Sequence, residues 1–90
     1  MPKRQTIQVT WGDETLYVTE VGIRIYNEIL AAHRDDENRC SMAILAEAVT
    51  GQAGERYSLE WFENECPSEL FSALAEAYAE SKKKVQSRRM

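Results

Sequence analysis

The sequence predicts an α+β fold, mostly α, with an N-terminal β-hairpin packed on about four helices. Three observations predict it. Two apolar/polar alternations, TIQVTW and ETLYVT, flank a Gly-Asp pair, which is the pattern of a hairpin. From residue 20 onward the apolar period changes from two to the helical spacing of three and four. Breakers then divide the rest into segments: RDDEN at 34–38, GQAG at 51–54 and Pro67.

The hairpin covers residues 6–19. Pairing Trp11 with Glu14 sets Val9 against Leu16 and Ile7 against Val18, so four aliphatic side chains share one face. Gln8, Thr10, Thr15 and Tyr17 share the other. Two strands alone are marginal in water, so the aliphatic face is expected on helices. The outer strand edge is a further place where a partner's strand could add.

Helix 1 is expected over residues 20–34, with Thr19 as N-cap. Val21, Ile25, Ile29 and Ala32 form one row, and Tyr26, Leu30 and His33 a second, widened by Ile23. At 100° per residue the apolar arc covers about half the helix, more than the ~100° stripe of an ordinary surface helix. Either the domain covers both rows or one row meets a partner. Helix 2, residues 39–50, is apolar nearly all round and reads as central, with Gly51 at its C-cap. GQAGERY reads as a loose turn. Helix 3 spans residues 58–64, with Ser58 as N-cap. Pro67 opens helix 4, residues 67–86. Leu70, Phe71, Leu74, Ala77, Tyr78 and Val85 form its stripe, and Glu69, Ser72, Glu76 and Glu80 its polar side. No internal repeat or linker interrupts the chain, so residues 1–90 read as one domain.

Composition limits the function classes. At 43% apolar and 29% charged, the chain resembles a globular domain rather than a disordered one. Fifteen acids face four arginines within residues 5–81, a net −11, and a basic tail over 82–90 helps to bring the whole to −4. Acids flanking Trp61 and Phe62 would repel phosphate, so nucleic acid is not an expected partner. No apolar run approaches the ~20 residues of a membrane span. Cys40 and Cys66 lie outside any CxxC and no leader pattern precedes them. They are expected as buried free thiols in a reducing cytoplasm.

Chemistry-bearing motifs are scarce. GQAG follows a helix, not a strand, and is no phosphate loop. One histidine and two cysteines cannot build a usual zinc site, and no metal or cofactor is expected. Cys40, Cys66 and His33 could converge as nucleophile and base. The plainer reading is two packed thiols and a helix-end histidine. No base, nucleophile and oxyanion donor can be named together, so the chain is expected not to be an enzyme. It is expected to bind protein.

The order of elements carries a resemblance. Leu45, Ala46, Val49, Thr50 and Gly51 make an alanine- and leucine-rich helix ending in an "LTG"-like turn. Ser58, Leu59 and Phe62 make a short second helix, and Leu70, Leu74 and Ala77 a last amphipathic one. Over residues 15–84 this resembles the small tail assembly chaperones of long-tailed bacteriophages. Members often begin with an extended acidic or proline-containing segment, which a tight hairpin replaces here. The resemblance implies a protein that holds a tail tube or tape-measure protein soluble in the host cytoplasm until assembly. A client segment would lie in an apolar groove walled by Ile23, Tyr26 and Leu30, with Trp61 and Phe62 at its edge. The same side chains could instead be core or a homo-oligomer contact. A second expectation is an acidic inhibitor that occupies a basic nucleic-acid-binding surface on a host protein. Its contacts would be Asp35, Asp36, Glu37, Glu60, Glu63 and Glu65.

Overall fold

A computed structural model describes residues 6–87, with side chains through Lys82. β1 (Thr6–Trp11) and β2 (Glu14–Thr19) form the expected hairpin in the expected register, Trp11 opposite Glu14 and Ile7 opposite Val18. Gly12 has φ +60°, and no described non-glycine residue has positive φ. That sign pattern is a type II′ turn, with glycine first. Leu16 and Val18 are buried while Ile7 and Val9 are half-buried, because β1 is the outer strand.

α1 (Ile23–Ala32) starts later than expected. Thr19 remains in β2, its hydroxyl 2.8 Å from that of Thr6, and is not a cap. Gly22 occupies the N-cap without a side-chain bond. The intervening chain is drawn to the core instead: Val21 packs on it, and a Val21 backbone hydrogen bond reaches the Tyr78 phenol.

α2 (Glu37–Ala48) starts two residues early and stops two residues early relative to the 39–50 expectation. Its start moves because the Asp36 carboxylate accepts the Arg39 N–H at 3.1 Å, a side-chain cap inside the stretch read as a connector. Its end moves because Val49 and Thr50 leave the helix as β3 (Val49–Thr50), antiparallel to β2, with Val18 opposite Val49. Two β-branched residues suit a strand better than a helix end. Gly51 therefore follows a strand and caps no helix.

GQAGERY is not loose. Gly51 N–H donates to the Glu55 carbonyl at 2.9 Å, Gly54 N–H to the Gly51 carbonyl at 3.1 Å, and Thr50 bridges Arg56. Gly54 has φ +84°, where a side chain is strained. The turn folds the chain back beside β3.

α3 (Leu59–Asn64) begins at the expected cap, Ser58 accepting the Trp61 N–H at 3.1 Å. α4 (Ser68–Ser87) runs under β1 and β2. Leu70, Leu74, Ala77 and Tyr78 are buried, and Glu69, Ser72, Glu76 and Glu80 are exposed, as the stripe requires. Val85 and the tail beyond Lys82 lie outside the described side chains. Ser81 sits fully buried on the same face, where its hydroxyl donates to the Tyr78 carbonyl at 2.7 Å, a local bond that satisfies it. The core joins the inner sheet face (Leu16, Val18, Val49) to Leu45, Phe62 and Leu74.

Candidate functional site

α1 differs from the other helices. None of its residues is buried, and Ile23, Ile25 and Leu30 are 75%, 39% and 40% exposed. It rests on α2 alone among its substantial packing partners. Tyr26 and Ile29 are its half-buried side chains, joined by His33 at its C-cap, and at helical spacing the three fall on one side. The wide apolar arc read from the sequence therefore exists, and the domain covers it only in part.

α1 stands as a ridge with an open cleft along each flank. On one side Tyr26, Leu30, His33 and Arg34 face Cys40 and Ile44 of α2 across a cleft of about 680 Å³. Tyr26 also walls a second cleft of about 330 Å³, shared with Ile23, Tyr78 and Lys82. Together they form a trough bounded by α1, α2 and α4. On the other flank Ile29 faces Ala43 and Ala46, with Tyr57 and Leu59 beyond.

Lys82 fixes one end of the trough. Its ammonium lies 4.9 Å from the centre of the Tyr26 ring and 5.7 Å from that of Tyr78. Cation–π contact of this kind is worth about 0.5–1 kcal/mol at an exposed site. The spacing of Tyr78 and Lys82, one helical turn apart, is the signal that could have found it. Burial pushes the Tyr78 phenol up, with Glu20 and Tyr26 adding to the rise and the Val21 backbone bond opposing it. Among the described residues Arg24, Arg39 and Arg56 each have a carboxylate partner, on Glu28, Glu63 and Glu47. Arg34 and Lys82, both lining the trough, make no ion pair with a described residue.

The five residues expected to bind a partner do not meet as one groove. Ile23, Tyr26 and Leu30 share a wall. Trp61 and Phe62 line neither cleft of the trough. Phe62 is 4% exposed and belongs to the core, so its ring offers no surface. Trp61 is half-buried, 4.6 Å from the Tyr57 ring and edge-on to Phe62 at 5.0 Å. This aromatic cluster anchors α3 to the body. Ile44 and Tyr78, read as packing residues, are what the trough uses in their place. Burial, with Glu14 and Glu55 nearby, pushes the Tyr57 phenol up.

The six acids proposed as contacts are all exposed. Asp36 caps α2, and Glu63 is held by Arg39 at 2.7 Å. That ion pair draws the start of α2 to α3, bringing Asp36, Glu37 and Glu63 to one edge. The nucleophile–base convergence does not form as a threesome. Cys40 shares a cleft with His33, while Cys66 packs on the core, its thiol donating to the Pro67 carbonyl at 3.5 Å. Burial pushes the Cys66 thiol above its ordinary value, the opposite of what a nucleophile needs. Among the described residues no cluster of His, Cys, Asp and Glu could hold a metal ion, and no helix is long and apolar enough to cross a membrane.

No family model, curated protein or solved structure matches this chain.

Proposed function

We propose that this protein is a non-enzymatic binding module that holds an apolar helical segment of another protein against α1 and the trough beside it. The observation that supports it is α1 itself: ten residues, five of them Ile, Leu or Tyr, none buried. A helix this apolar in contact with water is an interaction surface by composition and exposure, and the ridge with its trough suits helix-in-groove recognition. The finer reading, a phage tail assembly chaperone acting on a tail tube or tape-measure protein in the host cytoplasm, rests on the sequence resemblance.

The test is capture of partners from host lysate by tagged protein, washed at low and moderate salt, beside the Tyr26→Ala variant. The account expects a salt-resistant tail protein that the variant recovers poorly. Equal recovery by both forms would remove the α1 surface from the account.

A second reading has one observation in its favour. The Arg39–Glu63 pair gathers acids from two elements at one edge, where they could meet a basic surface on a host protein. Its partner would be released by salt, and Tyr26→Ala would leave it bound.

A further inference from the structure

We propose that in the free protein the α1 face is covered by α1 of a second copy, antiparallel, about a two-fold axis passing between Tyr26 and Asn27. This rests on the reading of α1 as the binding surface and adds its occupant when no other protein is bound.

Shape is the first reason. The exposed α1 lies directly beside the two clefts that Tyr26 walls. Under a two-fold operation the ridge of each copy enters the trough of the other, which closes the assembly at two chains.

The second reason is that the side chains are self-complementary about one axis. Placing the axis at 26–27 sets Ile23, 75% exposed, opposite Leu30 of the second copy, 40% exposed. The same axis brings Arg24 within about one residue's rise, ~1.5 Å along the helix, of the level of Glu28 of the second copy. Both are exposed on the outer flank, at 90% and 62%. In an antiparallel pair related by this axis, that flank of one helix adjoins the same flank of the other.

The third reason concerns Lys82, which makes no ion pair with a described residue. Lys82, beside Ile23, falls at the C-terminal end of the second copy's α1. There the unpaired carbonyls and the following Asp35 favour a cation. α1 itself carries one arginine and one glutamate, so two copies of an acidic chain meet there on a neutral element.

Sedimentation of the full chain over a wide concentration range tests this. Wild type is expected to pass from 10.3 kDa to twice that mass. Ile23→Asp should remain monomeric. Arg24→Glu alone, which sets like charges across the axis, should weaken association about tenfold. Arg24→Glu combined with Glu28→Arg should restore it. Glu60→Lys, away from α1, should change nothing. The substituted α1 residues are not buried, and circular dichroism at low concentration checks that each variant folds. A chain that stays monomeric at every concentration overturns the proposal, as does a dimer indifferent to both Ile23→Asp and the charge exchange. A monomer whose captured partner still depends on Tyr26 would remove the second copy and leave the binding reading standing. A dimer broken by Ile23→Asp, with no captured partner, would do the reverse.

Discussion

α1 and α4 have the same kind of sequence and opposite positions in the fold. Each carries apolar residues at three- and four-residue spacing. In α4 that stripe closes the core: Leu70 is 3% exposed and Leu74 0%. In α1 the stripe is wider, yet no residue on it is buried. The difference lies in what each helix faces. α4 runs under two strands whose inner face, Leu16 and Val18, is otherwise bare. α1 arrives over α2, whose buried Leu45 and Ala48 already belong to the core. Periodicity thus says that a helix has an apolar face. It does not say that the same chain covers it.

The largest expected effect comes from breaking the buried side of the comparison. Leu74→Ala should cost about 2–5 kcal/mol, measured by urea denaturation, because Leu74 has no exposed surface left. Smaller losses should follow where one cap or turn is removed. Asp36→Ala should cost about 1 kcal/mol through the lost α2 cap, and Gly54→Ala about 1 kcal/mol for a side chain at positive φ. Both are read in the same denaturation experiment. Ile23→Asp should lie within about 0.5 kcal/mol of wild type at low concentration, as a surface change does. A loss comparable to that of Leu74→Ala would put α1 in the core and end the comparison.

Much of the fold was legible. The hairpin register followed from alternation and a glycine turn, α3 from Ser58, and the α4 stripe from its spacing. The misses are residues whose role is set by a contact that periodicity does not show, some distant in the chain and some local. Val49 and Thr50 continue a helical pattern, and only pairing with Tyr17 and Val18 makes them a strand. Asp36 looks like one of a run of solvated acids until the Arg39 amide lies at 3.1 Å. At the site, the α1 wall was legible from its breadth. Phe62 was misplaced because an aromatic beside Trp61 gives no sign of which ring turns inward. Ile44, Tyr78 and Lys82 were missed because the trough exists only once α1, α2 and α4 converge.

The smallest effect sharpens the account from the alkaline side. Tyr57 and Tyr78 are both raised above the usual phenol value of 10.0, burial being the first cause in each. A raised folded value favours the protonated phenol in the folded state. The stability it contributes is complete below about pH 10 and is lost as pH rises through the folded values. Denaturation midpoints should therefore be insensitive to these groups near neutrality and fall in the alkaline range. Tyr78→Phe should flatten that fall.

The measurement that tests the central claim most directly is the affinity of the captured partner for wild type and for Ile23→Asp, taken with the melting temperature of each. The account predicts equal melting temperatures at low concentration and a loss of affinity of at least about tenfold. Equal affinities would contradict it, because the most exposed apolar side chain of α1 would then have no part in binding.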